Sequence, residues 1–108
     1  MSAMSRWIPV APAASIIPGD YAQTEIDGAL VAVFNVCGEF YAIDDVCTHD
    51  GGELAGGAVE GDVVICPRHG ARFCLRTGAA LSPPAYEPVR TYPTRINEQG
   101  IVEVDADV

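Results

Sequence analysis

The sequence predicts an all-β fold, a small antiparallel sandwich or barrel, on two observations. Short runs of apolar, β-branched and aromatic residues alternate with closely spaced turn signals. No segment keeps the apolar period of a helix for a dozen residues. Many short strands joined by turns are typical of antiparallel sandwiches and barrels. At 108 residues the chain has the size of one ordinary domain, so we expect residues 1–108 to form a single domain.

The predicted strands follow one another along the chain. Residues 21–26 lead through Asp27-Gly28, a strong hairpin signal, into residues 29–36. The later predicted strands cover residues 40–43, 62–65, 71–75, 90–96 and 101–104. Pro93 lies inside one of these runs, and because proline cannot donate to a sheet ladder, it predicts an edge or a bulge there.

Glycines are concentrated in one third of the chain, between residues 51 and 78. Such a glycine-rich stretch is mostly loop, and it contains both histidines of the sequence. Long loops in a compact domain are usually functional or disordered. We therefore expect the chemistry of the protein to lie here.

The charge balance excludes one class of partner. Lys plus Arg number 6 against 15 Asp plus Glu, which gives a formal charge of -9, and the acidic residues are scattered. Nucleic acid is not an expected partner, because phosphate binding needs a basic patch. An acidic surface is better suited to the basic rims of other proteins.

The N-terminal stretch, residues 1–18, does not have the pattern of a signal peptide. Its only positive side chain is Arg6, and Pro9, Pro12 and Pro18 interrupt the apolar run. No run approaches the length needed to span a bilayer, so we expect no membrane partner. We expect a cytoplasmic protein, in which paired cysteines more often indicate metal or redox chemistry than disulfides.

Two turns of the glycine-rich region repeat one pattern. Each contains a cysteine, a histidine two or three residues later, and glycine nearby: Cys47 with His49, and Cys66 with His69. A Cys47–Cys66 disulfide would leave the histidines unexplained, and a catalytic Cys/His pair needs only one residue of each type. Tetrahedral zinc would use all four side chains, although zinc fingers usually place two cysteines in one turn and two histidines in the other.

A binuclear cluster explains why each turn holds one residue of each type. One iron would take the two cysteines and the other iron the two histidines, so that each turn contacts both metals. This is the ligand set of Rieske [2Fe–2S] centres. Two ferric ions, two sulfides and two thiolates sum to zero charge, so reduction creates a single negative charge. An all-cysteine cluster is already dianionic, which makes the Rieske type easier to reduce.

At these residues the chain resembles the Rieske iron–sulfur family. Cys47-Thr48-His49 and Cys66-Pro67-Arg68-His69-Gly70 are similar to the paired box motifs of that family. Further similarity to the soluble Rieske ferredoxins of bacterial ring-hydroxylating dioxygenases lies in residues 35–44, 61–65, 73–81 and 91–96. The resemblance implies a Rieske-type antiparallel fold. It also implies a loop-rich cluster-binding subdomain inserted at about residues 45–85, one [2Fe–2S] cluster, and Cys47, His49, Cys66 and His69 as its ligands.

The resemblance also implies an electron-transfer component that is not itself an enzyme. It would take single electrons from a flavin-containing NAD(P)H reductase. It would pass them to a terminal oxygenase with its own Rieske centre, in a dioxygenase system of aromatic hydrocarbon catabolism. An oxygenase needs a mononuclear iron site, commonly two histidines and a carboxylate, and the chain has no histidine left for one. The alternatives are the Rieske small subunit of a nitrite reductase, an iron–sulfur assembly accessory protein and a zinc module. A monomer suits a shuttle.

Comparison with high-potential Rieske proteins predicts a low reduction potential. Those relatives carry a disulfide between the boxes, and a serine and a tyrosine that donate to cluster sulfur. The corresponding residues here are Gly52, Arg68, Ala71 and Phe73, from which we expect neither a bridge nor such side-chain bonds. The predicted potential is therefore near the low end of the Rieske range, about -150 mV.

Two further cysteines and two arginines are not expected to be cluster ligands. Cys74 lies in an alternating strand and is expected to be a buried free thiol, and Cys37 a turn-edge residue without a metal role, although a bridge between the two stays open. Arg68 and Arg72 flank the second box and could pair with Asp50 or Glu53, serve as docking contacts, or be solvated surface charges.

Overall fold

The computed structural model describes residues 5–107, which form three antiparallel β-sheets. The strands are β1 (Trp7–Pro12), β2 (Tyr21–Ile26), β3 (Ala29–Val36), β4 (Glu39–Asp44), β5 (Val59–Glu60), β6 (Val63–Ile65), β7 (Arg72–Cys74), β8 (Thr91–Tyr92), β9 (Thr94–Ile96) and β10 (Ile101–Asp105). The one helix of this part of the chain is a 3-10 turn at Ala13–Ser15, and no helix within residues 5–107 is long and apolar enough to cross a membrane. The predicted all-β antiparallel class is confirmed.

The three sheets separate a scaffold from an inserted subdomain. The first sheet has the order β1-β10-β9, and the second has the order β2-β3-β4-β8. The third sheet, β5-β6-β7, is built from residues that lie between β4 and β8 in the sequence. The small third sheet thus holds together the glycine-rich stretch in which the sequence places both histidines.

Strand β3 is shared by two apolar cores. Because successive side chains of a strand point to opposite faces, its residues divide between them. Ala32 and Phe34 belong to the loop-side core, whose buried members are Ala32, Phe34, Ile43, Cys47, Leu54, Val64, Cys66, Ala71, Phe73, Leu75, Ala85 and Val89. Val31 and Val33 belong to the sheet-side core, whose buried members are Ile16, Ile26, Val31, Val33, Ala42, Tyr92, Val102, Val104 and Ala106. Burial on both faces explains why this strand reads as a nearly continuous apolar run.

Two tight turns set the register of the second sheet. Asp27-Gly28 joins β2 to β3 and Cys37-Gly38 joins β3 to β4, and all four residues have positive φ angles of 51°, 85°, 52° and 93°. This is the backbone of the type I′ hairpin turn, whose twist matches that of the strands. The hairpin predicted at Asp27-Gly28 is confirmed.

Two strands were not expected from the sequence. In β1, Pro9 and Pro12 obscured the strand pattern, but β1 is an edge strand that pairs only with β10, and its register shifts between Pro9 and Ala11. A proline is tolerated at an edge because no neighbouring strand needs its missing N–H. Strand β5 has only two residues, Val59 and Glu60, too few to show alternation.

The single strand expected over residues 90–96 is wrong, because Pro93 divides it. Thr91–Tyr92 pairs with β4 in the second sheet, whereas Thr94–Ile96 pairs with β10 in the first sheet. The carbonyl of Pro93 accepts a hydrogen bond from the Asp105 N–H at 3.0 Å. The proline therefore marks the point at which the chain passes from one sheet to another.

Tyr92 fastens β8 to the second sheet. Its ring is 6% exposed, and its hydroxyl donates to the Asp44 carboxylate on β4. The Arg90 guanidinium carbon lies 4.6 Å from the ring centroid. Burial, reinforced by the bond to Asp44, raises the pKa of Tyr92 to about 12.

This environment predicts that Tyr92 ionises later than an exposed tyrosine. The stability that Tyr92 contributes should be fully present below pH about 10, the pKa of a free tyrosine, and should be lost as the pH rises towards about 12. The chain has no lysine, so no side-chain ammonium titrates in that window. Tyrosinate absorbance should show a late step near pH 12 that is missing from Tyr92→Phe. Loss of a step near pH 10 instead of near pH 12 in Tyr92→Phe would contradict the prediction.

Candidate metal centre

Two loops with the same pattern of backbone hydrogen bonds carry the predicted ligands. The first loop, residues 47–52, follows β4, and the second loop, residues 66–71, follows β6. In the first, the Cys47 N–H donates to the Gly52 carbonyl and the Cys47 carbonyl accepts from the Gly51 N–H, both at 2.7 Å. In the second, Cys66 makes the same pair of bonds with Ala71 at 2.7 Å and Gly70 at 3.0 Å. Each cysteine therefore closes its own loop.

Glycine is required at the same place in both loops. Gly51 and Gly70, each four residues after its cysteine, have φ angles of 76° and 74°. This left-handed conformation is favourable only for glycine. The repeated glycine that was visible in the sequence is thus explained by the closing turn and needs no contact with a ligand.

The loops direct their cysteines inward and their histidines outward. Cys47 is 0% and Cys66 is 1% exposed, and both are members of the loop-side core. Burial raises the pKa of the Cys47 thiol, although backbone N–H groups of His49 and Asp50 oppose this. His49 and His69 are exposed, and their ring centroids lie 5.0 Å apart with the rings nearly perpendicular.

The four predicted side chains come together as two pairs. The Cys47 and Cys66 sulfurs form one group with an Asp50 oxygen in which all ligand atoms lie within 4.8 Å. Nitrogens of His49 and His69 form a second group with Asp50 on the same criterion. One tetrahedral zinc would bring all four donors within about 4 Å of each other, and no such group occurs among residues 5–107. A thiolate pair beside an imidazole pair fits the donor chemistry of a binuclear iron–sulfur centre better.

Asp50 belongs to both groups, but its carboxylate forms an ion pair with Arg68. The Arg68 Nε and Nη2 atoms donate to its two carboxylate oxygens at 2.6 and 3.1 Å, and the Gly52 N–H also donates to it, at 2.9 Å. The Arg68 guanidinium holds the pKa of the Asp50 carboxyl well below its usual range. His69 Nε2 is 3.7 Å from the same carboxylate, beyond hydrogen-bonding distance. Asp50 is thus the ion-pair partner of Arg68, which was one of the options predicted for that arginine.

Arg68 also contacts sulfur, which corrects a prediction. The sequence comparison assigned no side-chain donor to position 68, but the Arg68 Nη2 atom lies 3.3 Å from Cys66 Sγ, within donating distance for sulfur. The guanidinium reaches this position by passing over Gly52, where an added Cβ would lie 2.4 Å from Arg68 Cζ. The role was missed because it depends on the distance between two loops rather than on the residue type at position 68.

Asp45 supports the first loop from beneath. Its carboxylate is buried, and one oxygen accepts the backbone N–H groups of Leu54 and Ala55 at 2.7 and 2.8 Å. The other oxygen accepts a bond from the Gln23 side chain on β2. The end of β4 is thereby tied to the segment that follows the first loop. In the sequence, Asp45 is one of 15 acidic residues and no pattern distinguishes it from the others. Its role was therefore not predicted.

A third, proline-rich loop, residues 82–87, lies beside the first loop and beside the residue that follows the second loop. The Thr48 hydroxyl donates to the Glu87 carbonyl at 2.7 Å, and the Ser82 hydroxyl accepts the Arg72 N–H at 3.1 Å. Ala85 is buried in the loop-side core together with Cys47 and Cys66. The third loop thus closes one side of the core that holds the thiols.

The remaining cysteines are not joined. Cys37 and Cys74 are both free thiols, so the bridge left open by the sequence does not form. Cys37 is exposed in its hairpin turn, as expected of a turn-edge residue. Cys74 is only partly buried, less so than predicted. Arg72, the second arginine near the second box, pairs with Glu60 at 3.3 Å instead of Asp50 or Glu53.

Comparison with known proteins finds a family model and relatives that agree with the Rieske resemblance. A family model described as the Rieske [2Fe-2S] domain matches residues 6–93. The chain is 46% identical over 86 residues to a biphenyl dioxygenase ferredoxin subunit from Pseudomonas sp. (strain KKS102), which covers 79% of each chain. It is 41% identical over 95 residues to a 3-phenylpropionate/cinnamic acid dioxygenase ferredoxin subunit from Escherichia coli (strain K12), covering 87% of this chain and 88% of the relative.

Solved structures share the fold over nearly the full length. A chain from the complex of reduced oxygenase and oxidised ferredoxin in carbazole 1,9a-dioxygenase matches with a TM-score of 0.86 and 36% identity, covering 93% of both chains. A candidate NADH-dependent nitrite reductase small subunit from Mycobacterium tuberculosis matches with a TM-score of 0.84 and 26% identity, covering 94% of this chain and 96% of the other.

The role of Asp45 can be tested by comparing two substitutions. Asp45→Ala leaves the buried Leu54 N–H and the partly buried Ala55 N–H without an acceptor, which should lower the free energy of unfolding by about 2–4 kcal/mol. Asp45→Asn keeps one oxygen that can accept both N–H groups, so its free energy of unfolding should fall clearly less. The urea midpoint measured by circular dichroism distinguishes the two variants. Equal losses would mean that the backbone bonds of Leu54 and Ala55 do not depend on this side chain.

Proposed function

The chain belongs to the Rieske [2Fe–2S] family, and from this membership we propose that it carries single electrons to the terminal oxygenase of an aromatic ring-hydroxylating dioxygenase system. Ferredoxin subunits of such systems are similar to it over most of their length. Its cofactor is one Rieske-type [2Fe–2S] cluster. The chain is an electron-transfer component and not a catalyst, and the predicted family is confirmed.

The ligand assignment is part of the proposal. Cys47 and Cys66 would hold one iron, and His49 and His69 would hold the other. The observation that supports it best is the sorting of four donors into a buried thiol pair and an exposed imidazole pair. When bound, the cluster supplies a one-electron redox couple.

The same sorting suggests where the electron leaves. The two thiols are enclosed by the loop-side core, whereas the two imidazoles are open to solvent. A partner protein that covers His49 and His69 comes closer to the redox centre than a partner at any other face of the loops. We therefore assign electron exit to the histidine side.

The electron donor in this proposal is a flavin-containing NAD(P)H reductase. NAD(P)H delivers electrons in pairs, and a flavin can release them singly to a one-electron acceptor. The charge of -9 favours partners with basic rims. We further propose a cytoplasmic monomer in which residues 1–108 form one Rieske domain, with about residues 45–85 as its cluster-binding part.

A second function is supported by one structural match. The candidate nitrite reductase small subunit has nearly the same fold at 26% identity. In that role the chain would be a fixed subunit of a larger enzyme rather than a shuttle. Stable co-purification with a reductase large subunit, together with nitrite-dependent NADH oxidation, would favour this second function.

Reconstitution tests the proposed function directly. The reductase and terminal oxygenase of a biphenyl dioxygenase system are suitable partners, because its ferredoxin subunit is 46% identical to this chain. We expect NADH-driven dihydroxylation of biphenyl to require the added protein, and Cys66→Ala protein to be inactive. If the reductase reduces the cluster but no product forms, the chain passes its electrons to an acceptor other than this oxygenase. Absence of any reduction would contradict the proposed donor.

Replacing one imidazole by a thiolate tests the ligand assignment. His69→Cys should add negative charge to the centre, lower its reduction potential and move the average g value of the reduced protein towards that of all-cysteine clusters. Electron paramagnetic resonance and a potentiometric titration measure both effects. A potential in the lower part of the Rieske range, at or above about -150 mV, is expected for the unmodified protein. An unchanged spectrum in His69→Cys would remove His69 from the ligand set.

Electron transfer from the reductase should weaken with salt. Raising the ionic strength from about 0.01 M to about 1 M shortens the Debye length from about 30 Å to about 3 Å. Stopped-flow rates of cluster reduction should fall by about tenfold or more across this range if charge steers the encounter. Ferricyanide reduction by the reductase alone serves as the control for salt effects on flavin chemistry. A flat profile would show that the -9 charge does not guide docking.

A further inference from the structure

Arg68 connects three separate points of the candidate centre. Two of its nitrogens donate to the Asp50 carboxylate, and Nη1 donates to the Glu53 carbonyl at 2.9 Å. Nη2 also lies 3.3 Å from Cys66 Sγ. Asp50 and Glu53 belong to the first loop and its continuation, whereas Arg68 and Cys66 belong to the second loop. The guanidinium is therefore a clamp between the two loops.

The clamp requires a residue without a side chain beneath it. An added Cβ on Gly52 would lie within 2.7 Å of three guanidinium atoms of Arg68. The Gly52 N–H donates to Asp50 Oδ1, which also accepts the bond from Arg68 Nη2. Gly52, Asp50 and Arg68 thus form one cross-loop unit in which the guanidinium lies flat over the backbone.

The unit also places two opposite charges beside the thiol pair. An arginine keeps its positive charge at all pH values of interest, and it points that charge at Cys66 Sγ. The negative charge of Asp50 lies within 4.8 Å of the sulfurs of both cysteines. An electron added to the centre is attracted by Arg68 and repelled by Asp50, so the two side chains act on the reduced state in opposite directions.

We propose that Arg68 is a positioning residue that raises the reduction potential of the centre by donating a charged N–H to Cys66, while Asp50 orients it and partly offsets its charge. Hydrogen bonds to ligand sulfur stabilise the more negative, reduced state. A bond from a charged donor is worth more than one from a neutral donor. The inference rests on the proposed ligand role of Cys66.

Substitutions of Arg68 and Asp50 distinguish an electrostatic effect on the reduction potential from a purely structural one. Arg68→Met removes the positive charge and should make one-electron reduction about tenfold less favourable, a decrease of about 59 mV. Asp50→Asn keeps Arg68 but removes the opposing charge, and should make reduction at least about threefold more favourable. A purely mechanical clamp predicts shifts of the same sign, because both substitutions break the same ion pair.

Two further variants serve as controls. Arg68→Lys keeps the positive charge but not the planar guanidinium. Its equilibrium constant for one-electron reduction should stay within about threefold of that of the unmodified protein. Arg72→Met changes the net charge by the same amount as Arg68→Met, but Arg72 pairs with Glu60 on β5. Its reduction equilibrium should not shift measurably.

The experiment is a potentiometric titration of the cluster-containing proteins, with iron and acid-labile sulfide measured for each. Opposite shifts in Arg68→Met and Asp50→Asn, with Arg72→Met unchanged, would support the proposal. Shifts of the same sign, or no shift, would overturn it. If Arg68→Met does not retain iron, an increase in Asp50→Asn with little change in Arg68→Lys supports the proposal, and any other pair of results overturns it.

This outcome is distinguishable from failure of the proposed function. If the unmodified protein contains zinc and no labile sulfide, the electron-carrier function fails whatever the variants do. If it shows the Rieske resonance and reconstitutes dioxygenase activity but its potential does not respond to Arg68, only the present inference fails.

Discussion

The backbone hydrogen bonds made by Cys47 and Cys66 are the constraint on which the rest of the centre depends. In each loop the cysteine N–H and carbonyl both bind the far end of the loop, so the cysteine cannot turn outward without opening it. With the thiol fixed in the core, the histidine two or three residues later emerges on the solvent side. One local closure therefore determines both the buried and the exposed half of the donor set.

The scaffold contributes by holding the two loops at a fixed separation. Phe34 on β3 and Phe73 on β7 are fully buried in the same core as the two cysteines. Asp45 ties the end of β4 to the segment after the first loop through two backbone amides. Apolar packing thus sets the distance between the thiols, while polar bonds to the backbone set the course of the loops. The contact between Arg68 and Cys66 exists only because both kinds of support are present.

Sequence reasoning succeeded where a signal is local. The hairpin at Asp27-Gly28 is encoded by two adjacent residues, and the two Cys/His loops by one short repeated pattern. It failed where the outcome depends on distant neighbours. Strand β1 is permitted its prolines by its edge position, and Pro93 separates two sheets that the local pattern merges. The contact of Arg68 with sulfur depends on how closely the two loops approach, and the composition of either loop alone does not reveal that distance.

The division of β3 between two cores bears on how the protein is assembled in the cell. The sheet-side core contains Val31, Val33, Val102 and Val104 and includes none of the four proposed ligands. Because its packing includes no proposed ligand, we expect this half of the molecule to fold without iron, and the other face of the same strand to form a wall against which the loops then close. Maturation would then need only delivery of the inorganic centre to a chain that is already largely folded, rather than rescue of an unfolded one.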